Sequence, residues 1–254
     1  MSVKEISRQS RLDCLRLVHA AQTSHIGSLL GAADLFAAIF AKIDLNKDKF
    51  ILSAGWKACL LYCHLYRLGR ITKEDLDSYC QPGSKWIGLA EPVHPDILFA
   101  GGSMGMGLAA GIGRAWSKKQ RGEPGRVYVY ESDGGMQVGI NWEAAWFADQ
   151  HKLTNLTLIV EKNGFQAMGP TDGIGNMENL AEKLQAFGFD VIDVNGHDHE
   201  DIMSALSYPS DWPVAIIAKT TKGKGWKRAE GNNLYHYKQL SDEEYEEAKQ
   251  EIYG

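Results

Sequence analysis

The sequence predicts an α/β fold, a three-layer arrangement in which a parallel sheet is covered by helices on both faces. Two observations carry this. From Arg126 onward, four short, apolar, β-rich runs alternate with helical patterns, and such alternation requires crossover helices on both sides of a parallel sheet. The length is the second: 254 residues, 44% hydrophobic and 23% charged, suffice for one large α/β domain.

Taken in order, the first third reads as helices. Ile6 to Ala21, Ala32 to Ile43 and Ala54 to Leu68 place apolar residues at three- and four-residue spacing, the period of one helix face. The glycine-rich run Gly101 to Gly113 follows. Glycine costs a helix up to about 1 kcal/mol per site, so this run is either not helical or gains from close backbone approach. The strands come next: Arg126 to Tyr130, Leu156 to Val160, Asp190 to Val194 and Val214 to Ala218. Between them lie helical patterns at Asn141 to Gln150, Met177 to Phe187 and His199 to Leu206. Arg228 to Tyr237 is weakly patterned and predicts a loop ordering over a site or against a partner. Asp242 to Tyr253 predicts a charged amphipathic helix that packs on the surface. With no repeat, low-complexity tract or proline-rich linker, residues 1–254 are expected to form one domain.

The 27 basic and 32 acidic residues give a net charge of −5, without the basic excess expected of a nucleic-acid binder. Met1 to Arg11 has no apolar targeting region, and no stretch approaches twenty uninterrupted apolar residues. The expectation is a cytoplasmic, unanchored protein. The four cysteines, Cys14, Cys59, Cys63 and Cys80, are too few for a disulfide framework. Cys59, Cys63 and His64 invite a metal reading because positions four apart share a helix face. Free cysteine is usually buried, which favours small side chains inside an apolar helix.

The most informative segment is Val127-Tyr128-Val129-Tyr130-Glu131-Ser132-Asp133-Gly134-Gly135. An acidic residue at the carboxyl end of a parallel strand, followed by glycine and a helix, sits where open α/β sheets bind ligands. One strand later comes Glu161-Lys162-Asn163-Gly164-Phe165. Neighbouring strand ends would bring the Asp133 carboxylate and the Asn163 carboxamide together, and such oxygen donors suit a hard cation with phosphate. Asp-Gly and Asn-Gly are also common turn dipeptides; it is the pair on consecutive strands that points to a ligand. A dinucleotide fingerprint, a Walker lysine and a G-x-S-x-G elbow are all missing.

Ser132-Asp133-Gly134, 28 intervening residues and Asn163 resemble the thiamine-diphosphate motif that begins GDG and ends in N. The flanking blocks narrow the resemblance to transketolases. These include Thr23-Ser24-His25-Ile26-Gly27 with Asp34, Gly102-Ser103-Met104-Gly105-Met106-Gly107 and Asn141-Trp142-Glu143. Leu153-Thr154-Asn155-Leu156, Phe187-Gly188-Phe189, Asn195-Gly196-His197-Asp198 and Lys222-Gly223-Lys224-Gly225 continue in the same order to the C-terminus.

The resemblance implies the family's N-terminal, diphosphate-binding (PP) domain and its thiamine-diphosphate-binding fold. Its pyrimidine-binding and C-terminal domains would then reside on a separately encoded subunit, giving an α2β2 heterotetramer that transfers a two-carbon ketol unit from a ketose or ketose phosphate to an aldose. It further implies that Asp133, the Asn163 side chain and the Phe165 carbonyl bind Mg²⁺. Gly134 would admit the diphosphate, and Gly102 and Met104 would lie along the aminopyrimidine and thiazolium. His25, His94 and His236 match histidines that hold substrate oxygens or shuttle protons. His19, His64, His151, His197 and His199 are left as structural.

Four positions depart from the pattern. Trp56 stands for a histidine that meets diphosphate and substrate, Val138 for a glutamate five residues after the metal aspartate, Ser132 for glycine and Ile26 for proline. The segment from His94 to Gly102 is also short. An indole donates a hydrogen bond but takes up no proton at neutral pH, so sugar-phosphate specificity is expected to differ. Two alternatives stay open: the α chain of a thiamine-dependent 2-oxo-acid dehydrogenase or acyl-transferring enzyme, and a non-catalytic interaction subunit.

Overall fold

A computed structural model describes residues 1–254. Helices α1 (Val3–Ala21) and α2 (Ile26–Lys42) open the chain, followed by strand β1 (Lys49–Leu52), α3 (Ala58–Arg67), α4 (Lys73–Asp77) and α5 (Met106–Gln120). Then come β2 (Val127–Ser132), α6 (Ile140–Gln150), β3 (Leu156–Lys162), the short pair β4 (Phe165–Gln166) and β5 (Gly169–Pro170), α7 (Thr171–Ile174) and α8 (Leu180–Ala186). Strand β6 (Asp190–Asn195), α9 (His199–Leu206), β7 (Val214–Lys219) and α10 (Asp242–Tyr253) complete it.

The five long strands form one parallel sheet in the order β1-β2-β3-β7-β6. Successive strand residues face opposite sides. Tyr128 and Tyr130 therefore join the core formed with α1, α2 and α3, while Val127 and Val129 join the core under α5, α6 and α8. Burying both faces explains why these strands read as apolar runs rather than as an alternation of apolar and polar residues. The layering is the one expected.

Several boundaries moved. The sequence pattern predicts only helices in the first third, but Lys49–Leu52 is an edge strand paired with Val127–Tyr130; four residues are too few for any period to show. Ala54 to Leu68 is a short 3₁₀ turn, Gly55–Lys57, leading into α3. Helix α2 begins at Ile26 rather than Ala32, and α8 is shorter than Met177 to Phe187. The ambiguity over the glycine run resolves both ways. Residues 101–105 form a turn, and helix α5 then carries Gly107 and Gly111 where a Cβ would strike Ser53 and Val129. The terminal helix starts where expected, after a Ser241–Glu244 capping box that satisfies two backbone amides.

Chain order at the sheet centre builds a crevice. After β3 the chain runs to the far edge as β6 and returns as β7 beside β3, the kind of break in strand order where open α/β sheets hold ligands. The segments leaving β1, β2, β3 and β7 thus emerge side by side.

Candidate active site

Those four strand exits deliver the site. Ser53 to Lys57 follow β1, Asp133 and Gly134 follow β2, Asn163 to Phe165 follow β3, and Thr220 to Lys222 follow β7. A crevice of about 270 Å³ is lined by His25, Trp56, Lys57, Gly102, Met104, Gly134, Asn163, Phe165, His236 and Tyr237, among others.

Asp133 is buried at the crevice floor. One carboxylate oxygen accepts from Gly134 N at 2.9 Å; the other accepts from Gly164 N at 2.8 Å and the Thr171 hydroxyl at 3.2 Å. The bond to Gly164 N ties Asp133 to the residue after Asn163, so the two side chains expected to share a cation do lie at adjoining strand ends. The Asn163 side-chain oxygen accepts from Phe165 N at 2.9 Å. Burial raises the Asp133 pKa to about 6 against the pull of the Gly164 and Gly134 amides. A carboxylate so desolvated gains by meeting a cation.

Two buried lysines supply cationic charge, Lys57 on the crevice lining and Lys222 behind His236. Lys57 Nζ is 2.7 Å from a Glu161 carboxylate oxygen and donates to the Ser28 carbonyl at 3.2 Å. Glu161 also accepts from Tyr130 OH at 2.9 Å and the Thr220 hydroxyl at 3.0 Å. Burial opposes its ionisation, but Lys57 and these donors hold its pKa below the usual value. The Lys222 ammonium donates to the Asn233 side-chain oxygen at 2.6 Å and to His236 Nδ1 at 2.9 Å. Burial, and then Lys57, lowers the Lys222 pKa to about 8.

His25 precedes α2 in the left-handed region, at φ 74°, a conformation that costs a non-glycine residue about 1 kcal/mol or more. Its backbone N–H donates to the His236 carbonyl at 2.9 Å, and the two rings meet edge to face at 5.0 Å. The pKa of His25 is pushed down to about 4 by burial and by Lys57 and Lys222. That of His236 is pushed down to about 3 by burial and by Lys222, His25 and Lys57. Both imidazoles are therefore neutral at physiological pH. Because His236 Nδ1 accepts from Lys222, its proton sits on Nε2.

His94 departs from expectation. It lies outside the crevice, in a separate surface pocket with Pro92, Pro95 and Arg114. Its Nε2 faces the Arg70 carbonyl at 3.1 Å, and its Nδ1 accepts from Asp96 N at 3.2 Å, so both ring nitrogens are engaged. The other predicted residues, His25, His236, Gly102, Met104, Gly134, Asn163 and Phe165, line the crevice, with Asp133 beneath it. Lys57, Glu161 and the Lys222–His236 contact were not foreseen. Their one sequence signal is a charged residue inside an apolar run, as at Lys57 within Ala54 to Leu61.

The thiols of Cys14, Cys59 and Cys63 lie within 4.8 Å of one another. His64 turns to the Ser10 hydroxyl at 3.3 Å, away from any shared ligand set with Cys59 and Cys63. Those thiols and Cys14 are buried together in the apolar core. No helix is long and apolar enough to cross a membrane.

The donor set suits a divalent cation and a diphosphate. Two oxygen donors at adjoining strand ends match a hard cation, the buried ammonium groups of Lys57 and Lys222 lie at and behind the crevice lining, and a Cβ at Gly134 would press on the Gln166 side chain at 3.2 Å. Comparison with known proteins points the same way. Residues 2–254 match the family described as transketolase, thiamine diphosphate binding domain. The chain is 31% identical to one of the subunits of the apulose-4-phosphate transketolase of Phocaeicola vulgatus, over 97% of this chain and 92% of that protein. It is 30% identical to the 6-deoxy-6-sulfo-D-fructose transketolase subunit SqwG of a Clostridium species, over 99% and 98%. Human transketolase is 30% identical over the whole chain but is covered only to 42% of its own length. The crystal structure of Campylobacter jejuni transketolase superposes with a TM-score of 0.93 at 31% identity, covering 99% of this chain and 43% of that one. The chain belongs to the transketolase family and carries its thiamine-diphosphate-binding domain.

Proposed function

We propose that this chain is the N-terminal subunit of a split transketolase: one diphosphate-binding domain working with a separate pyrimidine-binding subunit in a cytoplasmic α2β2 heterotetramer. The relatives that it covers nearly end to end are named as transketolase subunits, which supports this division of labour. The reaction is transfer of a two-carbon ketol unit from a ketose or ketose phosphate to an aldose.

The observation that carries the reading is the meeting of Asp133 and Asn163 at adjoining strand ends, in a crevice that Lys57 lines and Lys222 backs through His236. Asp133, the Asn163 side-chain oxygen and the Phe165 carbonyl would hold Mg²⁺, with Gly134 leaving room for the diphosphate and Gly102 and Met104 flanking the rings. When bound, thiamine diphosphate supplies an electron sink for breaking the carbon–carbon bond beside a ketose carbonyl. The chain's own residues do the rest. Lys57 and Lys222 offset the phosphate charge. His25 and His236, neutral and side by side, bind substrate oxygens, and His236 presents an Nε2–H to them. The Trp56 indole narrows the substrate end and donates at most one hydrogen bond.

The chain mixed with its partner subunit, thiamine diphosphate and Mg²⁺ should consume a ketose phosphate in the presence of an aldose, while the chain alone should show no turnover. Turnover by the isolated chain would refute the split architecture. Turnover of a 2-oxo acid in place of the ketose would favour an acyl-transferring enzyme. An assembled complex that binds no cofactor would favour a non-catalytic role.

A further inference from the structure

Lys222, buried behind the crevice-lining His236, owes its place to a hydrogen-bonded pair outside the crevice. His197 Nδ1 donates to Asp34 Oδ2 at 2.8 Å, and its Nε2 accepts the backbone N–H of Thr221 at 2.8 Å. Both ring nitrogens are thus committed, and the pattern needs the neutral ring with its proton on Nδ1. Asp34 is buried and also accepts from Arg11 at 2.5 Å, His199 Nε2 at 3.0 Å and the Ser7 hydroxyl, so its carboxylate is rigidly placed. On the other side the Thr221 carbonyl packs against Gly31, where a Cβ would sit 2.9 Å from the oxygen. Gly223 N donates to the Gly27 carbonyl at 2.7 Å. Residue 222 is thereby pinned between two fixed backbone positions, and its ammonium reaches His236 Nδ1 and Asn233.

We infer that Asp34 and His197 are positioning residues for Lys222: the aspartate fixes the imidazole tautomer, the imidazole holds the Thr221 amide, and the held amide aims the Lys222 ammonium at His236. The consequence for catalysis rests on the transketolase reading, whereas the geometry does not. The ring of His197 is hydrogen-bonded to Asp34 and Thr221, and none of the three lines the crevice.

The test uses the ¹⁵N-labelled full chain without cofactor or partner, so that its outcome is separable from the enzymatic assignment. The readout is the His236 Nδ1 resonance, identified by its loss in His236→Gln, which reports whether that nitrogen accepts a hydrogen bond. In His197→Met the resonance should move toward that of an unbonded pyridine-type nitrogen while the circular dichroism spectrum stays unchanged. His197→Gln, which can both donate to Asp34 and accept from Thr221, should restore it. A folded His197→Met chain with an unmoved resonance overturns the inference, as does a glutamine variant as perturbed as the methionine one. Should His197→Met not fold, Asp34→Asn decides. Exchange of the Thr221 amide should then quicken about tenfold or more relative to the sheet amide of Ile216, and unchanged exchange overturns the inference.

Discussion

Lys57 and Glu161 form a fully buried ion pair, 2.7 Å from Nζ to Oε2, at the root of the crevice. Neither charge has access to water, so each depends on the other and on the Ser28, Tyr130 and Thr220 groups around them. Removing one partner strands the other. Lys57→Met should destabilise the chain by about 3–5 kcal/mol, and Glu161→Gln added to it should recover a substantial part. Denaturant unfolding of the two single variants and the double variant measures this coupling; strictly additive losses would contradict it.

Stability should fall on the acid side because of His64. The ring is buried and its pKa is lowered to about 3, chiefly by burial and secondarily by Arg67. The unfolded chain binds that proton near pH 6.5 and the folded chain does not. The His64 contribution is therefore complete above pH 6.5 and is lost as pH falls toward 3, at up to about 1.4 kcal/mol per pH unit. His25 and His236, whose pKa values are also lowered by burial, add to the same trend. Urea unfolding between pH 7 and pH 5 should therefore show a slope that is shallower in His64→Gln by up to about 1.4 kcal/mol per pH unit; an unchanged slope would contradict the His64 contribution.

Gly31→Ala tests the backbone contact beneath the Lys222 loop. The added methyl would meet the Thr221 carbonyl at 2.9 Å and Lys222 Cα at 3.3 Å, neither of which is a flexible side-chain end. A loss of about 1–3 kcal/mol is expected, with cofactor affinity reduced by more than the same stability loss produces when placed in α10. Equal cofactor affinity in the two variants would show that the loop does not shape the crevice.

Trp56 makes occupancy visible. Its indole lines the same crevice as Gly134 and Asn163, so titrating Mg²⁺ and thiamine diphosphate should change the tryptophan emission. Trp56→Phe should abolish most of that change while leaving the dissociation constant within about threefold, since Trp56 is not among the proposed metal ligands or ammonium groups. An undiminished signal in Trp56→Phe would place the occupant elsewhere.

Much of this architecture is legible in the residues alone. Strands buried on both faces advertise themselves as short apolar runs, as in Val127 to Tyr130 and Val214 to Ala218, and Asp133 and Asn163 stand out because each closes such a run. What stayed hidden has physical causes. Strand β1 is four residues long, below any detectable period. The pairing of Lys57 with Glu161, and of Lys222 with His236, depends on which strand ends become neighbours, and the sheet order β3-β7-β6 is not written in local sequence. His94 matched a motif, yet the segment around it turns its ring to the Arg70 carbonyl. Conversely His197, which looked merely structural, proves to join the core aspartate to the crevice loop.

The central claim is that Asp133 and Asn163 together anchor a metal-bound diphosphate. Isothermal titration of thiamine diphosphate into the complex of this chain with its partner subunit should show saturable binding that requires Mg²⁺ and disappears with a chelator. Asp133→Asn should weaken that binding by at least about 100-fold without dissociating the complex. Wild-type affinity in Asp133→Asn, or binding indifferent to Mg²⁺, would contradict the claim.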